Sequence, residues 1–484
     1  MQLTTADARR SALHRAERLR RLSDTERDLI RLANEPGFQR WLEQIRATGG
    51  CAHPIYLAGH TTLVHADTGQ VLRHYDTHAE PGGRLAIRCR NRRDSRCAPC
   101  SRLHSGDTFH LVRSGLLGGK SVPVTVTAHP RLFVTLTAPS FGAVHRATPE
   151  GERCRPRRDG GTCEHGRPLG CGHVHAADDP ATGQPLCADC YDYPSHVLWH
   201  AHAGELWNRT TRAIRRHLAT SAGIPQSKIG DHLRLSFAKV TEYQRRGAVH
   251  FHAVIRLDGP DGPTAPPPDW ASAELLDAAV RSAAASAEVS MPYVPGLGEL
   301  VFRWGGQLDV HPIRRGFADD GPVTDQAVAA YVAKYVSKSV GDAGGTDYPV
   351  RSPDDIALLS VSAHMRALMG TCWRLGRLPG LEHLRLRAWA HTLGYRGHVL
   401  TKSRRYSTTY EELRTARTAH RAERCGLAAD TGPATVTDSA WRYVGSGHTL
   451  AEAEIAAGIA EDLILLREIR QELAAAENRW TDAA

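Results

Sequence analysis

The sequence predicts an α+β fold: an antiparallel sheet with packed helices, interrupted by zinc-binding loop insertions and flanked by helical N- and C-terminal regions. Three observations carry this expectation. Residues 126–345 mix strand-like runs and helical spacings without the strict βαβ alternation of a parallel sheet. Two strand-like runs, Leu233–Glu242 and Ala248–Ile255, flank a short loop ending in Gly247, which makes them an antiparallel hairpin. Two segments, 86–104 and 151–194, are rich in Cys, His, Gly, Pro and Arg and poor in apolar periodicity, the composition of loops that fold around metal.

The resulting division is a helical region at 1–85, a zinc-binding module at 86–125, a catalytic-type α+β domain at 126–345 with a Cys/His insertion at 151–194, and a basic, mostly helical region at 346–484. The 484 residues carry 61 Lys plus Arg against 52 Asp plus Glu, a net charge of +9. That balance leans toward nucleic acid, although a GC-rich genome gives the same excess of Arg. A charged leader followed by an apolar run is missing, as is any stretch of ~18 apolar residues, so a soluble cytoplasmic protein without membrane contact is expected. Eleven cysteines in that compartment serve as metal ligands rather than disulfides, and an odd number leaves a disulfide set incomplete.

Residues 1–50 interleave Arg and Glu with few breakers before Pro36 and read as helical packing elements. In the next segment Cys89, Cys97, Cys100 and His104 supply a Cys-x-x-Cys knuckle plus two further ligands, a set that satisfies tetrahedral zinc. Arg88, Arg90, Arg92, Arg93 and Arg96 surround it. Pro130–Thr137 is a strand with Phe133, Thr135 and Thr137 on one face. The insertion then offers eight candidate zinc ligands: Cys154, Cys163, His165, Cys171, His173, His175, Cys187 and Cys190. They suit two four-coordinate sites or one site with spare histidines; the pairing is left open.

From His196 to about Thr220 the spacing is helical, anchored by Trp199, Leu206, Trp207 and Ile214. In the hairpin that follows, His250 and His252 project from one strand face. A three-residue loop Arg245-Arg246-Gly247, with its last residue at φ > 0, puts Glu242 opposite His250 on that face. Two imidazoles and a carboxylate are donors for a divalent ion with open positions. Ala271–Val289 reads as an Ala-rich helix, and Val301–Trp304 and Gln307–Ile313 as strands. Asp309 and His311 alternate onto one face of the last, as ordinary polar groups or as metal-orienting ones. Residues 325–340 have helical spacing with Thr324 as N-cap. Tyr331, Lys334, Tyr335 and Lys338 fall on one stripe of that helix, a phenol nucleophile with ammonium partners or a solvated amphipathic edge.

Beyond a Gly/Asp/Pro-rich break, 354–392 reads as Arg-rich helix. Gly394–Tyr406 interleaves Arg396, Lys402, Arg404 and Arg405 with Tyr395 and Tyr406, a pattern for neutralising phosphates and stacking bases or for a solvated basic surface. A final helix from Leu450 to Glu477 carries a regular apolar stripe, the mark of a core or dimer seam.

Phe133-Val134-Thr135-Leu136-Thr137, His250-Phe251-His252 and Tyr331 through Lys338, in that order, resemble the three motifs of HUH endonucleases that initiate rolling-circle replication. The nucleophile after the histidines follows the order of replication initiators, and the paired Tyr resembles their two-tyrosine subgroup. The cysteine modules and Gly397–Tyr406 further resemble initiators of actinobacterial plasmids and integrative conjugative elements. The likeness spans about residues 50–415. It implies an HUH-like sheet, a nicking-closing endonuclease with Tyr331 and Tyr335 as nucleophiles, and Lys334 and Lys338 as charge partners. It also implies Mg²⁺ or Mn²⁺ at His250, His252 and Glu242, with origin DNA, single-stranded or as an extruded hairpin, as substrate and a host helicase as possible partner. A two-tyrosine transposase, a non-catalytic zinc-dependent DNA-binding regulator and an RNA-binding zinc protein are the competing expectations.

Overall fold

A computed structural model describes residues 22–148, 151–157, 160–314, 323–424 and 435–481. The first 21 residues of the expected N-terminal helical stretch lie outside them. The elements run α1 (Asp24–Ala33), α2 (Phe38–Ala47), β1 (Ile55–His65), β2 (Val71–Asp76), β3 (Leu85–Ile87), α3 (Ala98–Leu117) and β4 (Arg131–Leu136). Next come α4 (Tyr193–Ser221), β5 (Arg234–Tyr243), β6 (Val249–Asp258), α5 (Ala273–Ser286), β7 (Glu288–Val294), β8 (Gly298–Arg303), β9 (Leu308–Pro312) and α6 (Asp325–Ser337). The chain ends with α7 (Pro353–Leu358), α8 (Ala363–Leu375), β10 (Leu400–Lys402), α9 (Tyr410–Arg424), β11 (Thr435–Ser446) and α10 (Leu450–Thr481). Two compact units result, one from 1–104 with 417–484 and one from 105–416.

In the first unit β1 pairs antiparallel with β11, β2 and β3. Trp41, Ile45, Tyr56, Ala456 and Ile459 form its core. This sheet adds strands to the helical region expected at 1–85 and to the mostly helical one expected at 346–484. Most of β11 is exposed, so it lacks the in–out alternation by which a half-buried strand is recognised.

The second unit is built on an antiparallel sheet in the order β10-β5-β6-β4-β9. Leu132, Val134, Phe251, Ala253 and Ile255 from one sheet face join Leu206, Ile214, Leu276 and Val280 of α4 and α5 in the larger core. Ala238, Val240 and Val254 from the opposite face join Leu111, Val112 and Leu116 of α3 and Val328, Ala329 and Val332 of α6. Helices therefore cover both faces of the sheet. The unbroken burial of β6 from Phe251 to Asp258 is the behaviour of a strand enclosed on two sides. The expected helix to Val289 stops at Ser286 and gives way to the β7–β8 hairpin.

The even-numbered face of β6 carries His250, His252, Val254, Arg256 and Asp258 in succession. At its far end the Arg256 guanidinium grips Asp258 through Nε–Oδ1 at 2.7 Å and Nη2–Oδ2 at 2.9 Å. His129 Nδ1 lies 2.8 Å from the same carboxylate, and Ser236 Oγ donates to it at 2.6 Å. Arg256 also donates to the carbonyls of Gly115, in the last turn of α3, and Tyr406. A cation at a helix C-terminus satisfies carbonyls that have no partner within the helix. This network fixes β6 to its surroundings at the end remote from the histidines.

Candidate active site

The hairpin forms as its sequence dictates. Gly247 takes φ 79°, Gly247 N–H donates to Gln244 O and Gln244 N–H to Ala248 O. The register follows, with Glu242 opposite His250 and Val240 opposite His252. Across β6, Thr135 of β4 stands opposite His252. Helix α6 starts at the expected cap, the Thr324 hydroxyl accepting from Ala327 N–H, and its Val328/Val332 stripe packs on the sheet. Ser105 of α3 donates to Ala333 O at 2.7 Å and pins the middle of the helix.

These elements bring Glu242, His252, Tyr331 and Tyr335 together. Glu242 Oε2 lies 2.8 Å from His252 Nε2, and the Tyr331 hydroxyl is 3.3 Å from that nitrogen. Thr135 Oγ1 holds the other ring nitrogen of His252 at 3.0 Å. Thr135 was placed on this face by its alternation but given no role. The Tyr331 and Tyr335 ring centroids are 4.5 Å apart. Phe133 packs edge-on against Tyr331 and stacks parallel to His252. The Lys338 ammonium lies 4.6 Å and the Lys334 ammonium 5.9 Å from the Tyr335 ring centre.

His250 sits beside this group, its ring centroid 6.2 Å from that of His252. Its Nε2 is buried without a hydrogen-bond partner. An unpartnered buried imidazole nitrogen costs free energy unless a ligand uses it. Burial, then the neighbouring His252 and Arg246, push the His250 pKa down to about 3, which keeps the ring neutral and able to donate a lone pair. Burial raises the Tyr331 phenol above its ordinary value, followed by its hydrogen bond to Tyr335 and the charge of Glu242. That same bond lowers Tyr335, although burial leaves it raised on balance. Asp309 lies opposite Thr135 and His311 opposite Phe133, which puts both on this sheet face.

Three compact Cys/His groups are present among the described residues, each with its ligand atoms within 4.8 Å of one another. The first is Cys51, Cys89, Cys97 and Cys100. Cys51, at the end of the α2 turn, takes the place assigned to His104, which is not in the group. Backbone N–H groups of Ala52 and Cys89 donate to Cys97 and Cys51 sulfurs at 3.3 Å, the pattern that favours thiolate. The insertion forms two groups, His145/Cys154/Cys171/His175 and Cys163/His165/Cys187/Cys190. His145 enters where His173 was expected; His173 instead contributes its carbonyl to Cys154 N–H. Asp179 Oδ2 holds His175 Nδ1 at 2.7 Å while His175 Nε2 faces Cys171 and His145 at 3.3 and 3.2 Å. A carboxylate behind an imidazole fixes its orientation toward a metal. Cys51 lies 38 residues before the next member of its group and His145 nine before the next of its own, and neither belongs to a Cys-x-x-Cys pair.

The basic stretch at 394–406 is placed differently from expectation. Tyr395 and Tyr406 are buried, bonded to Thr241 and to Val112 O. Arg396 donates to His383 O, and Lys402 to Arg404 O and Ser407 O. Arg404 and Arg405 remain exposed.

Fold and site together define an α+β protein in which a sheet presents paired histidines and a carboxylate to two tyrosines of a covering helix, with three Cys/His groups of the kind that could hold a metal. The chain belongs to the RepSA family, described as "Replication initiator protein, pSAM2", whose model matches residues 37–461. A replication initiator protein of Streptomyces ambofaciens is 47% identical over 453 residues, covering 92% of this chain and 95% of that protein. No solved structure matches the chain. No helix among the described residues is long and apolar enough to cross a membrane.

Proposed function

We propose that this replication initiator is a site- and strand-specific DNA endonuclease that nicks and rejoins its plasmid or element origin through a tyrosine, as rolling-circle initiation requires. The observation that carries the reading is the Tyr331 hydroxyl 3.3 Å from His252 Nε2, itself 2.8 Å from Glu242. A phenol has an ordinary pKa near ~10 and needs a proton acceptor to become a nucleophile. Water is that acceptor, and with His252 and Glu242 committed to an ion, its charge and the Lys334 and Lys338 ammonium groups would favour the phenolate. The tyrosine oxygen attacks the scissile phosphorus in line, the bond to the 3′ oxygen breaks, and the leaving 3′ oxygen takes a proton back from water to become the 3′-OH. The product is a 5′-phosphotyrosyl bond that keeps the phosphodiester energy, so the reverse attack rejoins strands without ATP. Tyr331 and Tyr335 share one stripe and one hydrogen bond, which suits alternating use. Lys334 and Lys338 stand where they neutralise the phosphate or phenolate.

His250, His252 and Glu242 are the groups that would hold Mg²⁺ or Mn²⁺, and the orphaned Nε2 of His250 fits that role. Once bound there, such an ion would supply Lewis-acid charge to the scissile phosphate. The three Cys/His groups have the donor sets of closed structural zinc sites. Arg396, Lys402, Arg404 and Arg405 are assigned to origin DNA, with the exposed Arg404 and Arg405 as the freer pair. A host helicase would take over the opened strand.

The test is an adduct assay with single-stranded oligonucleotides spanning the region upstream of the protein's own gene, with Mn²⁺ or with EDTA. A metal-dependent, denaturant-resistant protein–DNA band is expected, reduced in Tyr331→Phe or Tyr335→Phe and lost in the double variant. A tightly bound origin that gives no band in any metal overturns the reading.

A further inference from the structure

A cleft of about 530 Å³ runs from His250 to the Cys/His insertion. Its volume falls in the ~300–1,000 Å³ class of ligand sites. Its walls carry Arg146, Arg155, Arg245 and Arg246, and no Asp or Glu lines it. The arginines divide by their bonding. Arg246 spends its guanidinium on the protein, donating to Gln244 Oε1, Pro139 O and Ala138 O. It builds the wall. Arg146 and Arg155 are each anchored through Nε alone, at 2.7 Å, to Cys154 O and Val144 O. Their Nη groups have no protein acceptor among the described residues, so the end of each planar fork is presented ready-oriented.

The insertion is seated on the catalytic hairpin to form this cleft. Arg245 donates to Ala177 O at 2.8 Å, and Gly183, at φ 91°, lies so close to the Arg245 backbone that a Cβ would stand 2.4 Å from its carbonyl carbon. Only glycine permits that approach. The opposite wall includes Gly305 and Gly306; a Cβ at Gly306 would meet nothing within 4 Å, which leaves room for a polymer backbone. The inner end is His250, whose Nε2 has no partner.

We propose that this cleft holds the sugar–phosphate backbone of the DNA single strand adjoining the scissile phosphate, with Arg146 and Arg155 of the Cys/His insertion as its phosphate contacts. The insertion is thereby part of the substrate channel as well as a metal-stabilised loop. The proposal rests on the nuclease reading for which phosphate is scissile, and on its own geometry for the strand contacts.

The test measures anisotropy of a labelled mixed-sequence DNA single strand on the full chain carrying Tyr331→Phe and Tyr335→Phe, so that nothing is cut. Adding Arg146→Gln with Arg155→Gln is expected to raise Kd roughly tenfold at physiological salt and to flatten the slope of log K against log salt by about 1.4, from ~0.7 per single-strand contact. Arg146→Lys with Arg155→Lys keeps the charge without the Nε anchor and is expected to recover most of the affinity. Unchanged Kd and slope in the Gln pair overturn the proposal. So does a Lys pair as weak as the Gln pair, which would mean a collapsed loop, and so does a loss seen on duplex alone. An absent tyrosine adduct with the arginine effect intact sinks the nuclease reading and leaves the cleft; the reverse sinks only the cleft.

Discussion

Glu242 Oε2 and His252 Nε2 meet at 2.8 Å across the β5–β6 pair, although the residue directly opposite Glu242 is His250. The carboxylate reaches diagonally along the sheet face, a distance within range of long side chains. This leaves His250 Nε2 unpartnered and places the charge of Glu242 beside His252 and close to both phenols.

Glu242→Gln keeps the shape and removes the charge. Adduct yield with origin oligonucleotide is expected to fall by about 10–100-fold, the usual scale for losing a group that supports a metal site, while single-strand binding stays within about twofold because the cleft arginines bond to other groups. Full adduct yield would mean that the carboxylate only orients His252.

His200 gives the protein a stability limit on the acid side. It is fully buried, with Nδ1 2.8 Å from Leu393 O and Nε2 accepting from Val249 N–H. Only the neutral ring makes both bonds. Burial pushes its pKa down to about 4, below an unfolded value near ~6.5, so the unfolded chain binds the proton first. Stability is full above about pH 6.5 and falls as pH drops toward 4, by about 3 kcal/mol from this group at ~1.4 kcal/mol per pH unit. Urea midpoints across that window measure it. His200→Gln, which keeps one donor and one acceptor and does not titrate, should flatten the curve.

Asp258→Ala leaves the Arg256 guanidinium buried without its carboxylate. Breaking a buried pair in this way costs about 3–5 kcal/mol, read as a lower denaturant midpoint. A loss under about 1 kcal/mol would place the network among dispensable surface pairs.

Asp179→Asn removes the carboxylate behind His175 without touching a ligand atom. Zinc affinity of the His145/Cys154/Cys171/His175 group is expected to drop about 10–100-fold, seen by competition with a chromophoric chelator. The Cys51 group should hold its metal unchanged, since no residue is shared.

The parts legible in the sequence are those coded locally. The hairpin register followed from one glycine loop, and α6 from one threonine cap and the spacing of Val328, Val332 and Val336. The parts that were not legible depend on distant partners. β1 offers little pattern because its neighbour β11 is exposed and polar, and Cys51 has no knuckle beside it. Tyr395 and Tyr406 were misplaced because aromatic residues among arginines read as a surface for bases, whereas Thr241 and the Val112 carbonyl receive their hydroxyls inside the protein. Proximity in sequence points to His104 and His173; the folded chain uses Cys51, which is near its group only in space, and His145, which lies just before the insertion.

The pairing of β1 with β11 has a consequence for biosynthesis. Trp441 Nε1 donates to Thr61 Oγ1 across 380 positions of sequence, and every residue pair of that ladder waits until residues 435–446 have been translated. Contacts so far apart close slowly, and a ribosome that stalls before codon 435 releases a chain with β1 unpaired on that side. Such fragments would carry the whole of the histidine–tyrosine face and the β1–β2–β3 part of the other sheet but not β11, so they are distinguishable from longer products by a single unsatisfied strand edge.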